Sequence, residues 1–209
     1  MAAVYSRDMQ TFWRSLFRND RPVEIEVGSG TGTFVLPAAT TKRDVNYLAI
    51  EHAQSRARRL KAEVQTRGLA NVIVLQADAA CVISNLLPDA SVSAYHIYFP
   101  DPWWKRRHHR RRLFNAPFAA ALARTLKPGG VLFVATDVAP VFEHITATIR
   151  AQSELIPDPN LRSPRSQQTS FERKGLLHGA TIQNAAYVRP LTAAVTIPPQ
   201  PTFAQNTAD

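Results

Sequence analysis

The feature that most constrains the fold of this chain is a short predicted strand that leads directly into a glycine-rich loop. Residues 23–27 are predicted to be a buried strand, and the loop Gly28-Ser29-Gly30-Thr31-Gly32 follows at once. A strand that runs into a glycine loop is the first half of a β-α-β unit. The helix that must follow contains Pro37, which is poorly tolerated beyond a first helical turn, so we expect that helix to be short, to begin late or to be kinked.

The same alternation continues along the chain. Further strands are predicted at residues 45–50, 72–75, 92–99 and 131–135, and helices at 53–64, from Asn115 to Leu126 and near 141–150. Alternation of this kind predicts an α/β, Rossmann-like fold, with a mostly parallel central sheet and helices on both faces.

The chain is expected to form one domain with two terminal appendages. Its length of 209 residues, 45% of them hydrophobic, is enough to bury a core. Residues 1–20 are predicted to hold an amphipathic helix packed on the domain, and residues 21–188 to form the domain itself. Residues 189–209 are rich in proline and are expected to be a disordered tail.

The positive charge is concentrated in one segment. Of the net charge of +9, residues 105–112 carry +6, which leaves +3 for the rest. A local basic cluster favours a polyanionic partner such as nucleic acid or an anionic membrane surface. The alternative that the cluster is only a solvent-exposed surface without a partner also remains open. No apolar run approaches the roughly 20 residues that span a membrane, so a membrane role is disfavoured.

Two further features bound the setting of the protein. The N-terminus lacks a secretory signal pattern, which predicts a cytoplasmic location. The single cysteine, Cys81, excludes an internal disulfide and suits a reducing compartment.

His108 and His109 have no acidic or cysteine partners nearby in the sequence, so no metal site is expected.

Carboxylates stand at or near the ends of the predicted strands: Glu26, Glu51, Asp78, Asp101 and Asp137. Ligands of open α/β sheets bind beyond the carboxyl ends of the strands, so we expect these acids to converge on one edge. Glu51 is placed to accept hydrogen bonds from both hydroxyls of an adenosine ribose, and Asp78 from an adenine amine. Glu26 would repel a pyrophosphate but suits a ligand with ammonium and sulfonium groups, namely S-adenosylmethionine. The loop also lacks the Gly-x-Gly-x-x-Gly spacing of a dinucleotide site.

The segment from Phe99 to Arg112 places one acid beside a polyanion-binding run. It reads Phe-Pro-Asp-Pro-Trp-Trp at 99–104, followed by Lys-Arg-Arg-His-His-Arg-Arg-Arg. Pro100 and Pro102 keep the preceding residues, Phe99 and Asp101, out of the α region, so Asp101 is expected to be held in a stiff, extended loop. Such a loop aims the Asp101 side chain.

This motif and the order of the acids resemble the tRNA (guanine-N7)-methyltransferases, from about Pro22 to Tyr187. The resemblance implies a class I methyltransferase fold, S-adenosylmethionine as methyl donor with S-adenosylhomocysteine as product, and the variable-loop guanosine 46 of tRNA as target. It also implies that the protein needs no obligatory protein partner and acts as a monomer or a homodimer.

The resemblance assigns roles to residues of this chain. Asp101 matches the proposed catalytic acid and also belongs to the expected cofactor set: Glu26, Gly28, Gly30, Gly32, Glu51, Asp78 and Asp101. Lys105 and Asp137 match substrate contacts, and the expected RNA-contacting run is Arg107, His108, His109, Arg110, Arg111 and Arg112. Thr169, Ser170, Phe171 and Glu172 resemble a Thr-Lys-Phe-Glu substrate segment, with Ser170 in place of lysine.

The implied methyl transfer requires no proton transfer. Guanine N7 has its own lone pair and loses no proton on methylation, so no general base is required. We therefore expect Asp101 to position the guanine by accepting hydrogen bonds from its N1 and N2 hydrogens. Either Trp103 or Trp104 is expected to stack on the base. The equally weighted alternative is that one of them covers the hydrophobic core.

Two other functions remain open at this point. A non-catalytic RNA-binding protein could share the scaffold, because Ser170 departs from the family pattern. A nicotinamide-dependent oxidoreductase would share the sheet and Glu51, although Glu26 and the loop spacing oppose it.

Overall fold

The computed structural model describes residues 11–101, 113–165 and 181–191. Residues 11–17 are helical (α1). The remaining elements, in chain order, are β1 Val23–Val27, α2 Val35–Thr41, β2 Asn46–Glu51, α3 Gln54–Thr66, β3 Val72–Gln76, α4 Ala79–Asn85, β4 Val92–Tyr98, α5 Ala116–Thr125, β5 Leu126–Thr136, α6 Ala139–Gln152, β6 Ile156–Pro157 and β7 Gln183–Val188.

The strands form one seven-stranded sheet with the order β3-β2-β1-β4-β5-β7-β6. The first five strands of this order pair in parallel, whereas β7 is antiparallel to β5 and β6 is antiparallel to β7. This arrangement confirms the α/β fold with a mostly parallel sheet that the sequence predicts.

Two hydrophobic cores lie on opposite faces of the sheet, because successive strand residues point to opposite sides. Ile25, Ile50 and Ile97 belong to the core that also contains Trp13 and residues of α4, α5 and α6. The other core contains Tyr47, Ala49 and Tyr98 with the apolar residues of α2 and α3. Helices therefore cover both faces, as expected for strands that are buried on both sides.

The helix after the glycine loop behaves as its proline requires. It begins three residues past Gly32, at Val35, and ends at Thr41 after only seven residues. Pro37 is its third residue, within the first turn, where a missing backbone N–H breaks no helical hydrogen bond. The prediction of a short, late-starting helix is confirmed.

Three structural predictions are incomplete or wrong. The predicted bounds of α5, Asn115 and Leu126, are right to within one residue, but the Lys127-Pro128-Gly129-Gly130 stretch does not separate α5 from β5. Instead β5 starts at Leu126, with Gly129 in the left-handed region at φ +77°. The short helix α4 is absent from the prediction, and Phe99, expected outside the α region, lies in the left-handed α region at φ +51°.

Backbone pairing explains why β5 is longer than predicted. The Gly129 amide donates to the Arg189 carbonyl over 2.8 Å, and the Arg189 amide donates to the Gly130 carbonyl over 2.9 Å. A glycine at position 129 permits the bend that keeps the strand paired. Arg189, predicted to belong to the tail, is thus hydrogen-bonded to the sheet, while residues 192–209 lie outside the described part.

Candidate cofactor and substrate site

The carboxyl ends of the five parallel strands meet at one edge of the sheet. Glu26 is the fourth residue of β1 and Glu51 the last residue of β2. Asp78, Asp101 and Asp137 follow β3, β4 and β5 within three residues. The sheet therefore brings the five predicted acids to the same edge.

The glycine loop joins β1 to α2 in conformations that favour glycine. Gly28, Gly30 and Gly32 all have positive φ, of +75°, +55° and +87°. A β-carbon on Gly32 would lie 2.4 Å from Leu60 Cδ1 and 2.8 Å from Leu36 Cγ. Gly32 thus allows α2 and α3 to pack closely beneath the loop. At Gly28, by contrast, a β-carbon would have no protein atom within 4 Å.

Glu26 is a buried carboxyl group with one oxygen that accepts no hydrogen bond from the described residues. Its side chain is 5% exposed, and its Oε2 atom has no hydrogen-bond partner. Burial raises the pKa of Glu26 to about 8, and it outweighs the hydrogen bonds with the Ser29 side chain and the Val35 backbone, which lower that pKa. A buried oxygen without a donor is costly, so the position fits a ligand that brings a cationic donor such as an ammonium group.

Glu51 is buried too, but its oxygens are already engaged. Oε2 accepts the Gly30 amide over 2.8 Å, and Oε1 accepts the Ala53 amide over 2.7 Å. Arg56 also donates to Oε1 through Nε, at 3.1 Å, and its Nη2 lies 3.0 Å away. A ligand diol at Glu51 would bond Oε2 directly and would have to displace Arg56 to reach Oε1.

Asp78 begins α4 and caps it. Its Oδ1 atom accepts the Cys81 amide over 3.0 Å, which satisfies one of the free amides of the first helical turn. The side chain is exposed, and Oδ2 has no hydrogen bond in the part of the chain that the structure describes. One oxygen is thus structural, and the other can accept a hydrogen bond from a ligand.

Asp101 and Asp137 are the accessible acids of the edge. Asp101 is exposed and Asp137 half-buried, and neither carboxylate is hydrogen-bonded to another described residue. Asp101 follows Phe99, whose amide donates to the Ala135 carbonyl over 2.7 Å. The Asp101 backbone is therefore only two residues from a point that is tied to β5.

A buried polar chain, which the sequence reasoning missed, runs behind this edge. His96 is fully buried, with Nε2 2.8 Å from Glu24 Oε2 and Nδ1 2.9 Å from the Tyr98 hydroxyl. The Tyr98 hydroxyl is also 2.8 Å from Ser163 Oγ. A histidine in a mostly apolar strand, beside a strand that carries Glu24, is the signal that could have revealed it.

Several predicted residues cannot be placed. Lys105, the run 107–112 and the segment 169–172 lie outside the described residues, as do Trp103 and Trp104. Among residues 11–101, 113–165 and 181–191, no group of three or more His, Cys, Asp or Glu side chains is arranged to hold a metal ion. No helix in these ranges is both long and apolar enough to cross a membrane.

Comparison with known proteins identifies the family. The family described as "Putative methyltransferase" matches residues 20–185. The tRNA (guanine-N(7)-)-methyltransferase of Alkalilimnicola ehrlichii is 38% identical over 175 residues, which cover 82% of this chain and 74% of the relative. The protein of the same name from Paracidovorax citrulli is 35% identical over 179 residues, covering 84% and 72%. The chain belongs to the tRNA (guanine-N7)-methyltransferase family.

The fold of this family member is shared more widely. The crystal structure of the 16S rRNA methyltransferase KamB superposes with a TM-score of 0.60 over 85% of this chain and 92% of the other, at 17% sequence identity. At that identity the likeness shows the fold alone. It confirms the class I methyltransferase architecture that the resemblance implied.

Proposed function

We propose that this family member transfers the methyl group of S-adenosylmethionine to N7 of guanosine 46 in the variable loop of tRNA. The observation that carries the proposal is the buried Glu26 carboxyl at the mouth of the glycine loop, whose Oε2 atom has no hydrogen-bond partner among the described residues, in a chain of this family. It favours the edge of the sheet as a binding site for a ligand with a cationic donor.

The residues of the edge fit S-adenosylmethionine. Glu26 offers an acceptor to the ammonium of the methionine part, Glu51 Oε2 offers one to a ribose hydroxyl, and Asp78 Oδ2 offers one to the adenine amine. The open space at Gly28 leaves room for the ligand against the backbone. When bound, the cofactor supplies an electrophilic methyl group on sulfur.

The role of the protein is then to orient the guanine. N7 attacks in line with its own lone pair, so no side chain has to remove a proton. Asp101, exposed and unbonded within the described residues, can accept the N1 and N2 hydrogens of the base and stabilise the positive charge that develops on the purine. Asp137 directly follows β5, the strand that pairs with β4, and is a candidate to share this role.

Binding of the tRNA is assigned to the segments rich in cations and polar groups. Lys105 and residues 107–112 would hold backbone phosphates, and Thr169, Ser170, Phe171 and Glu172 would contact the substrate nucleoside. The charge of these segments suits an RNA partner, because phosphate contacts dominate the affinity for nucleic acids.

Transfer of labelled methyl from S-adenosylmethionine to unmodified tRNA tests the proposal. The substrate is compared with a tRNA that carries adenosine at position 46, and Asp101→Ala is assayed beside the wild type. Under multiple-turnover conditions we expect label only with guanosine 46 and wild-type protein, and N7-methylguanosine on digestion of the product.

Other results would contradict the proposal in separable ways. Binding of both ligands without transfer would favour a non-catalytic RNA-binding protein. Hydride transfer without binding of S-adenosylmethionine would favour an oxidoreductase. Full activity of Asp101→Ala would leave the reaction in place but exclude Asp101 as the positioning group.

A further inference from the structure

The loop at residues 158–165 is attached to the end of β4, next to the proposed substrate edge. The Tyr98 hydroxyl is 2.8 Å from Ser163 Oγ. The Arg165 guanidinium carbon lies 4.9 Å from the centre of the Tyr98 ring and 5.3 Å from that of the Phe99 ring. Both distances are within the range of cation–π contacts. Two loop residues thus contact the two residues that lead to Asp101.

The hydrogen bonds behind Tyr98 have a definite direction. Burial lowers the pKa of His96, which favours the neutral ring. Burial would raise the pKa of Glu24, but the hydrogen bond with His96 and the nearby Lys42 outweigh it, so the pKa of Glu24 is lowered and the carboxylate is ionised. His96 Nε2 therefore donates to Glu24, Tyr98 donates to His96 Nδ1, and Ser163 donates to Tyr98. The Ser163 bond is the outer end of a chain that starts in the core.

Phe99 needs such support. Its φ of +51° is in the left-handed region, and the next residue is a proline, which disfavours helical backbone angles before it. A left-handed residue other than glycine is strained, because its β-carbon lies too close to the following carbonyl oxygen. Contacts with its ring are the means by which the surrounding structure can hold this conformation.

Arg165 connects these contacts to the neighbouring strand as well. Its Nη2 donates to Asn184 Oδ1 over 3.0 Å, and Asn184 in β7 lies opposite Ala135 in β5. The Ala135 carbonyl in turn accepts the Phe99 amide. The guanidinium therefore spans the aromatic pair on one side and the β5–β7 pair on the other.

We propose that Arg165 and Ser163 are positioning residues that hold Tyr98 and Phe99 in the geometry that directs Asp101 at the substrate guanine. The inference rests on the proposed function for the role of Asp101, but the contacts that carry it are independent of that role. Arg165 acts through its planar shape, which covers two rings at once, and not through charge alone.

Methyl transfer kinetics test the inference in the full-length protein. Arg165→Ala should lower kcat about 10- to 100-fold, because small displacements of catalytic groups have losses of that order. The KM for tRNA and the Kd for S-adenosylhomocysteine should stay within about 2-fold. Arg165→Lys should recover little, because an ammonium does not lie flat on two rings. Arg162→Ala is the matched control, since Arg162 in the same loop bonds only the Pro159 and Leu161 carbonyls among the described residues.

A double-mutant cycle distinguishes positioning from direct substrate contact. If Arg165 acts through Asp101, Arg165→Ala should change the single-turnover rate of Asp101→Ala by less than about 2-fold. Losses that multiply would overturn the inference. A raised KM with unchanged kcat and full rescue by lysine would also overturn it, and would make Arg165 a phosphate contact.

A measurement without turnover keeps the test independent of the proposed function. Trp103 and Trp104 follow Asp101 closely in the sequence, and the third tryptophan, Trp13, is buried in the core. A change in the acrylamide quenching of tryptophan fluorescence therefore reports on the stretch after Asp101. Arg165→Ala and Ser163→Ala should increase quenching, and Arg162→Ala should not. Equal quenching in all four proteins would overturn the inference, whereas absence of methyl transfer by the wild type would contradict the proposed function alone.

Discussion

At the scale of single residues, Glu26 is the group whose charge depends most on its ligand. With a pKa raised to about 8 by burial, the ligand-free carboxyl holds a proton at neutral pH. Its ordinary pKa is 4.5, so the folded state binds more protons than the unfolded chain between pH 4.5 and 8. The contribution of Glu26 to the free energy of unfolding is therefore complete below pH 4.5 and is lost as the pH rises towards 8.

Binding of an ammonium beside Glu26 should expel this proton. Calorimetric titration with S-adenosylhomocysteine at pH 7, in buffers of different ionisation enthalpy, should show release of about one proton by the wild type. Glu26→Gln should bind more weakly and release none. A binding enthalpy of the wild type that does not depend on the buffer would mean that Glu26 is already ionised before the ligand binds.

Gly32 should tolerate no side chain. Gly32→Ala places a β-carbon 2.4 Å from Leu60 Cδ1 at a φ of +87°, so strain and overpacking add. We expect a loss of about 2 to 4 kcal/mol in the free energy of unfolding, measured in urea. Gly68→Ala is the control, because Gly68 has a φ of +59° but nothing within 4 Å, and it should lose only about 1 to 2 kcal/mol. Equal losses would show that the side chain of Leu60 moves aside freely.

At the scale of elements, α4 depends on an acid that also faces the site. Asp78→Asn keeps an oxygen for the Cys81 amide, so stability should change by less than about 0.5 kcal/mol. The affinity for S-adenosylhomocysteine should fall about 10-fold, because the second oxygen becomes an amide donor. Asp78→Ala should weaken binding and also cost about 1 kcal/mol of stability. Wild-type affinity of Asp78→Asn would separate Asp78 from the adenine.

The elements that the sequence predicts well are those with strong local signals. β1 has the predicted bounds because a glycine loop ends it, and α5 begins after Asn115 because that side chain accepts the Phe118 amide over 3.0 Å. The helix α4 escapes prediction because its seven residues are too few for a clear helical periodicity. The early start of β5 depends on Arg189, 59 residues beyond Gly130, which no local pattern contains.

The same limit applies to the candidate site. The strand-end acids follow from the alternation of elements, because parallel strands share one edge. The involvement of Glu51 with Arg56, and the chain from Glu24 through His96 to Ser163, are side-chain geometries between distant segments. Spacing along the sequence carries no information about such geometries.

At the scale of the whole molecule, the uneven charge should determine how RNA binding depends on salt. Replacing Arg110, Arg111 and Arg112 together by alanine should weaken tRNA binding. The slope of log K against log salt should become shallower by about 0.7 to 0.9 for each RNA phosphate that these arginines neutralise in the wild type. Filter binding or fluorescence anisotropy at several salt concentrations measures both effects.

The outer face of α3 provides a control of equal charge. Arg58, Arg59 and Lys61 are exposed there, and none forms an ion pair with another described residue. Their triple replacement by alanine should leave the slope unchanged. If both triple variants lower the slope equally, binding follows the total charge of the protein and the basic run has no special role.

The late position of β7 in the chain has a consequence during synthesis. β7 pairs along β5, yet Gln183 leaves the ribosome 47 residues after Thr136, the difference between their numbers. At about 5 to 20 residues per second, that side of β5 stays open for roughly 2 to 9 seconds. An uncovered apolar strand recruits other chains. A message truncated before codon 183 should therefore yield a nascent protein that is held by chaperones or degraded, even though every strand-end acid has already been made.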